Sequence, residues 1–520
     1  MQSNTRSSTE YLRDVLLVFL FFLTSLKLLQ KYIKQWHLSR KLGKDETQDI
    51  YKAYRSVPGP PSFPFIGNAI NVLPKHGMLE RLLNLGIKHG HCFKLTNPLT
   101  EDLVFLNSPE AVQAILSSHE HLRKSYLLEK LCPSKIDTTM AILPGGEKWK
   151  SMRKILARPF MYKALQIHNP CFYKQSERMT SQLEERFING NSAVNTVDDL
   201  LKQCIFGMAS ESLMGVDLED VEDGAKFCKN LELLMQQWIT RVYRPWLLIP
   251  WIWKISSSYR IMEDSLNSLT NVIFKVLDIY KKKLNEEPDN DDLNNNTMAG
   301  VMLKNGIEPM TIFREVAVML GIANETTPSA AEYTLFMLAL HPNHQELCRQ
   351  EIDAAFDDPS KCHNGVLEFE ALKELKHLER CIQESLRMNP VSLSLRTLET
   401  PLRINEELVL PSNVSVIVLP YILHNNPKYF PNPEQFEPER FLPENVRERH
   451  HYAYVPFSAG PRNCIGMKLS MVELKVIMAT ILRKFEVRTP DTRESVQLEM
   501  DPTMKPLKPI RFTMTKRILT

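Results

Sequence analysis

The sequence predicts a mainly α fold with small β-sheets, built as one large domain behind an N-terminal apolar segment. Three observations lead there. Met310 to Leu340 reads as one long helix, apolar on nearly all sides and therefore buried. Further helical stretches follow Pro342, which a helix tolerates at its first position, and run from Ile465 to Leu482. Strand-like runs are short: Cys92-Phe-Lys-Leu, Leu103-Val-Phe-Leu, and an alternating stretch from Leu402 to Val418 that reads as one small sheet. Its turn is Pro411-Ser-Asn413, where asparagine tolerates the left-handed conformation.

Composition excludes several classes. A chain of 520 residues with 43% hydrophobic and 24% charged residues can bury a large core. A net charge of +3 is too small to argue for nucleic acid. Nine cysteines, an odd number with no CxxC pair, argue against a disulfide framework or a zinc site and suit a reducing compartment. There are no internal repeats and no GxGxxG flavin or nicotinamide site.

The chain divides at composition shifts. Residues 1–30 contain the apolar run Val15 to Leu26, which Arg13 and Lys27 extend by snorkelling toward the roughly 20 residues a span needs. Lys31, Lys34, Arg40, Lys41 and Lys44 follow, so the positive-inside rule keeps the bulk of the protein cytosolic. A cleaved signal peptide lacks its A-x-A site here, and an organelle presequence lacks its Arg-rich face, which leaves an uncleaved anchor. Residues 31–67 form a basic, proline-rich linker ending in Val57-Pro-Gly-Pro-Pro-Ser-Phe-Pro-Phe-Ile-Gly67, stiff because each proline fixes its own φ. Residues 68–520 make the main domain.

Within that domain, Trp149 and Arg153 lie at i and i+4 on one helical face, where an indole N–H and a guanidinium suit a carboxylate. Lys148, Lys150 and Lys154 make the same helix basic. Residues 238–253 hold four of the six tryptophans, and Pro245 and Pro250 break them into a bulky apolar loop. Residues 285–297 are an exposed loop by composition. In the middle of the buried helix stand Asn324-Glu-Thr-Thr-Pro328, polar groups that need partners or a task. Pro328 cannot donate to the Asn324 carbonyl and predicts a kink. Glu384 and Arg387 lie at i and i+3, with Arg440 downstream in Phe436-Glu-Pro-Glu-Arg-Phe441. Val391, Leu393 and Leu395 alternate and are expected to line a cavity.

The chain culminates in Phe457-Ser-Ala-Gly-Pro-Arg-Asn-Cys-Ile-Gly466. A thiolate at Cys464 faces the positive end of the following helix and several unpaired backbone N–H groups. Both are expected to lower its pKa and make it a metal ligand. Gly460 permits a tight turn, and Gly466 lets the backbone approach something flat.

This decapeptide resembles the haem-binding loop of the haem-thiolate monooxygenases, the cytochromes P-450, with every fixed position of F-x-x-G-x-R-x-C-x-G present. The resemblance covers residues 57 to 515, with five motifs in family order. It implies that Cys464 is the axial ligand of heme b (iron-protoporphyrin IX), that Arg462, Trp149, Arg153 and Arg396 hold its propionates, and that Phe457 shields the sulfur between Gly460 and Gly466. It also implies that Glu325 and Thr326 manage protons as the acid and alcohol of the central helix, and that Glu384, Arg387 and Arg440 form a buried network pinning the cysteine loop. The region 238–253 would roof the substrate cavity and touch the bilayer. The basic helix around Trp149 would dock an acidic electron donor, an NADPH-cytochrome reductase or a cytochrome b-type protein.

Glu315-Val316 with Glu325-Thr-Thr327 is similar to the family-four clan, which suggests lipid-like substrates and an endoplasmic-reticulum membrane location. That clan can esterify its haem through a glutamate three residues before the acid. Here Ile322 takes that place, so the haem is expected to be non-covalent. Ala323, where the family favours glycine, and Pro328 depart from the pattern. Two other readings stay open: a haem-thiolate isomerase or dehydratase, and a non-catalytic haem-binding protein.

Overall fold

A computed structural model describes residues 25, 50 and 52–518, apart from 64–65, 74–75, 97–101, 133–137, 191–192, 219–220, 223, 287–295 and 502. The apolar run 15–26, apart from Ser25, lies outside the described residues, as does most of the loop expected at 285–297. No described helix is long and apolar enough to cross a membrane.

The helices that position the site are α1 (Glu147–Leu156), α2 (Tyr162–Phe187), α3 (Asp198–Met214), α4 (Gly224–Tyr243), α5 (Ser257–Glu286), α6 (Pro309–Leu340), α7 (Pro342–Phe356), α8 (Lys376–Met388) and α9 (Met467–Lys484). Helix α6 is the centre. Its proline start uses a position whose N–H has no partner in any case, and it packs on α3, α5, α8 and α9. Most of its residues from Ile312 to Ala339 are buried, as all-round apolarity requires. The helix continues through Pro328, so the proline removes one hydrogen bond without ending the element.

Four short strands form the main sheet: β1 (Cys92–Leu95), β2 (Leu103–Leu106), β3 (Ser394–Thr397) and β4 (Ser415–Val418). Their order is β1-β2-β4-β3, with β2 and β4 parallel and the other pairs antiparallel. Here the expectation of one sheet over 402–418 is corrected. Leu402–Arg403 pairs with Val409–Leu410 as a separate ladder, while β4 crosses into the main sheet. Asn413, at φ 61°, makes the turn that allows the change.

The tryptophan segment is not an open loop. It ends α4, makes one 3-10 turn at Pro245–Leu248 and a short helix at Pro250–Ile255, each started by its proline. Trp253 is buried under the Arg241 guanidinium at 4.4 Å, whereas Trp246 and Trp251 are exposed. None of the segment's residues is among those lining the central cavity.

Candidate active site

Cys464 sits at the start of α9, in a loop folded by its own backbone. The Cys464 N–H donates to the Phe457 carbonyl (2.9 Å), and the Asn463 N–H to that of Gly460 (3.1 Å). Gly460 adopts φ +67°, and a Cβ there would lie 1.9 Å from the Leu116 carbonyl oxygen. Glycine is required at this position twice over, by conformation and by space. Gly466 caps α9, which begins two residues later than the sequence suggests. A Cβ on Gly466 would meet nothing closer than 3.9 Å, leaving an open cradle beside the sulfur.

The sulfur faces a cavity of about 300 Å³ walled by α6 on one side and the cysteine loop on the other. Phe457 and Gly466 share that wall. The expectation of a lowered thiol pKa is corrected. Burial pushes Cys464 up, and the Gly466 N–H, Arg153 and Lys124 offset only part of that. The physical reason is desolvation by the protein atoms packed around a sulfur that is itself open to the cavity; a thiolate there needs a full positive charge on it, as a metal ion supplies.

Near the sulfur the fold gathers four cations, of which Lys124, Arg153 and Arg462 line the cavity while Arg396 lies behind them, close to Lys124 and Arg462. Arg462 stacks over the Trp149 indole at 4.2 Å, with Arg153 at 5.9 Å from the same ring. Arg153 donates to the Asn463 carbonyl (2.9 Å) and side chain (2.5 Å). Arg462 donates to the Met140 carbonyl (3.1 Å) and to that of Leu143, and its buried Nε has no partner. Arg396, 3% exposed, donates among the described residues to its neighbour's carbonyl at Leu395 (2.9 Å). Burial pushes Arg396 down to about 10. Burial, then Arg396 and Arg153, push Arg462 down to about 9. Lys124 is held well below its ordinary value by burial and by all three arginines. Among the described residues no carboxylate answers this cluster; the acidic group near it is the Cys464 thiol.

Four gathered cations without an anion fit a dianionic ligand, and a flat group carrying two carboxylates above a thiolate is what a haem presents. The residues present therefore fit the haem implied by the cysteine loop. Lys124 was not singled out from sequence, since it stands in no motif; only its convergence with Arg396 and Arg462 marks it.

On the opposite wall, Ile322, Ala323, Thr326 and Thr327 of α6 line the cavity. The Thr326 hydroxyl donates to the Ile322 carbonyl (2.9 Å), and the Thr327 hydroxyl lies 3.1 Å from that of Ser470 on α9. Glu325 is not in the cavity wall. It points behind α6 toward Lys505 at 4.0 Å, and burial raises its carboxyl. Of the alternating residues, Val391 and Leu393 line the cavity, whereas Leu395 enters β3 and pairs with Ile417.

Two further buried carboxylates matter. Glu315 accepts from the Met140 N–H (2.7 Å), which ties α6 to the segment that also holds Arg462. Glu473 on α9 is buried with an unpartnered oxygen, and burial pushes it up to about 8. Nothing in the local sequence distinguishes Glu473 from a surface residue of the same helix.

The Glu384 network is assembled in full. Glu384 and Arg387 are both completely buried and joined by two bonds (2.8 and 3.0 Å). Arg440 approaches at 3.4 Å, and the Glu437 N–H donates at 3.0 Å. Arg387 also donates to the carbonyls of His424, Pro433 and Gln435. That stitches α8 to the segment leading into the cysteine loop.

Comparison with known proteins agrees with this geometry. The family model described as Cytochrome P-450 matches residues 57–514. Cytochrome P-450 4c3 of Drosophila melanogaster is 29% identical over 504 residues, 90% of each chain. Cytochrome P-450 4V2 of Homo sapiens is 28% identical over 491 residues, 88% of this chain and 89% of the relative. Cytochrome P-450 4c21 of Blattella germanica is 26% identical over 486 residues, 89% of this chain and 94% of the relative. These relatives carry family-four names, the group whose helix pattern Glu315-Val316 and Glu325-Thr-Thr327 resemble. With the thiol, its cation cluster and the central helix arranged around one cavity, the chain belongs to the cytochrome P-450 family and is a haem-thiolate monooxygenase.

Proposed function

We propose that this monooxygenase is membrane-bound and inserts one oxygen atom from O2 into an apolar, lipid-like substrate such as a fatty acid, hydrocarbon or isoprenoid. Its electrons come from NADPH through a separate reductase. The observation that carries the reading is a single thiol, Cys464, facing a largely apolar cavity lined also by Lys124, Arg153 and Arg462, with Arg396 close behind, a cluster that no carboxylate answers among the described residues. When bound, the haem supplies oxygen activation, which a thiolate ligand favours by donating electron density.

The chain's own residues do the rest. Cys464 would hold the iron, and Lys124, Arg153, Arg396 and Arg462 would hold two carboxylates, with Trp149 stacked against Arg462. Phe457, Gly460 and Gly466 keep the sulfur in place and leave room for a flat ring. Thr326 keeps a hydroxyl proton at Oγ in the cavity wall, and Glu325 behind it exchanges protons with water beyond Lys505. Ile322 offers no carboxylate, so heme b stays non-covalent and acid solvent extracts it.

Exposed Trp246, Trp251 and Ile255 suit a bilayer surface next to an anchor within residues 1–30 and a linker at 31–67, with the catalytic domain of 68–520 in the cytosol at the endoplasmic reticulum. Exposed Lys148, Lys150 and Lys154 beside the cysteine loop suit an acidic electron donor.

The test is reconstitution of the full chain with an NADPH-cytochrome reductase and a fatty-acid panel. NADPH consumption matched by hydroxylated product supports the reading. Turnover of a hydroperoxide without NADPH points to an isomerase or dehydratase. A normal ferrous carbonyl spectrum with no turnover on any substrate overturns the catalytic reading.

A further inference from the structure

We infer that the face between α7 and α8 is a second metal site, built by His344, Cys348, His377 and Cys381 for a borderline-soft ion such as Zn2+. It lies outside the haem cavity and does not depend on the reading above. Sequence spacing hid it, because the four residues follow no CxxC or HxxxH pattern. Each helix instead carries His-x-x-x-Cys, and an i,i+4 pair puts both donors on one helical face. Helices α7 and α8 pack against each other and bring the two pairs together.

The distances are those of a small coordination polyhedron. His344 Nδ1 lies 3.2 Å from His377 Nε2, and the two imidazoles stack at 5.3 Å with 17° between planes. The donor atoms of His344, His377 and Cys381 all lie within 4.8 Å of one another. The sulfurs of Cys348 and Cys381 are 3.8 Å apart, far beyond the roughly 2.05 Å of a disulfide. Around tetrahedral zinc, bonds of about 2.05 Å to nitrogen and about 2.3 Å to sulfur give N–N and S–S edges of about 3.3 and 3.8 Å. The observed pairs match both edges. Cys348, one turn beyond His344, lies outside the close group of three and would supply the fourth donor from its place 3.8 Å from the Cys381 sulfur.

Burial supports a structural site with one open side. Cys348 and Cys381 are fully buried and His377 nearly so, while His344 is partly exposed and gives the ion its way in. The Arg380 guanidinium lies 3.2 Å from His377 Nδ1. A metal on Nε2 leaves a proton on Nδ1, so loading requires the Arg380 guanidinium to leave that nitrogen. Binding also releases the two thiol protons to solvent. The loaded site would staple α7 to α8 one turn before Glu384, and so brace the network that holds the cysteine loop.

The experiment uses the haem-loaded full chain in detergent, incubated with zinc chloride and then dialysed. Elemental analysis is expected to find about one zinc per iron, and zinc-edge X-ray absorption to find sulfur at about 2.3 Å. Cys381→Ala is expected to lose that zinc while keeping the ferrous carbonyl spectrum that reports an intact haem site. If Cys381→Ala does not fold, His344→Gln at the partly exposed edge serves the same purpose. Wild-type protein without zinc above background, zinc with only nitrogen and oxygen neighbours, or variants that keep the full zinc content would each overturn the assignment.

Discussion

Replacing Glu384 by glutamine keeps the shape of the side chain and removes only its charge. In the wild type, two bonds from Arg387, the Arg440 approach and the Glu437 N–H all converge on one carboxylate with no exposure to water. Glutamine has a single acceptor oxygen, and its amide N–H2 would face guanidinium donors. Removing one partner of a buried ion pair costs about 3–5 kcal/mol, because the remaining charge stays buried. Arg387 keeps three carbonyl acceptors, so the lower end applies, about 3 kcal/mol. That is a large part of the 5–15 kcal/mol that typically holds a domain together, roughly a hundredfold in the folded population. The assay is urea unfolding followed by the ferrous carbonyl band, with Glu384→Asp as a second variant that keeps the charge. Glu384→Gln should unfold at markedly lower urea, with Glu384→Asp between it and wild type. A glutamine variant within about 1 kcal/mol of wild type would refute the idea that this charge holds the two arginines.

Other outcomes follow from the same structure. Glu473 is pushed up to about 8 from an ordinary 4.5, so the native state holds its proton longer than the unfolded chain does. The contribution of Glu473 to stability should therefore be greatest below about pH 4.5, fall as pH rises to about 8, and level off beyond. Glu473→Gln should flatten that fall, by at most about 4 kcal/mol, in urea midpoints compared at pH 5 and 8. Gly460→Ala places a methyl against the Leu116 carbonyl in a left-handed conformation that alone costs about 1–2 kcal/mol. It should yield protein with little haem, read from the ratio of haem to protein absorbance. Lys124→Met removes one of the four cations from a half-buried position and should speed haem loss to apomyoglobin roughly tenfold, with unfolding little changed. An unaltered rate would remove Lys124 from the carboxylate-binding set.

Much of the site could be read before any coordinates, because its signals are local. A cysteine between glycines, a tryptophan and an arginine one turn apart, and an acid followed by two threonines in an apolar helix each state their chemistry within ten residues. The long buried helix is equally local, since all-round apolarity over many turns leaves it nowhere to go but the core. Where local reading failed, long-range packing had decided. The stretch 402–418 alternates like one sheet, yet β4 found its partners at residues 103–105 and 394–397. Glu325 sits in the expected motif, but the turn of α6 sends its carboxylate to Lys505 rather than into the cavity. The thiol at 464 has the helix end and N–H expected to acidify it, but desolvation by the protein packed around it, invisible in a list of neighbours along the chain, outweighs them even though the sulfur opens onto the cavity.

By itself, then, the sequence marked the cysteine loop, the Trp149–Arg153 pair and the polar turn of the central helix as candidates, because each is written within one helical turn or one loop. Only the tertiary structure decided which of them meet. Lys124 joins Arg396 and Arg462 from hundreds of residues away, and two His-x-x-x-Cys turns come face to face across α7 and α8. Coulomb and coordination forces act over a few ångströms of space, and only the packing of helices and strands sets those distances.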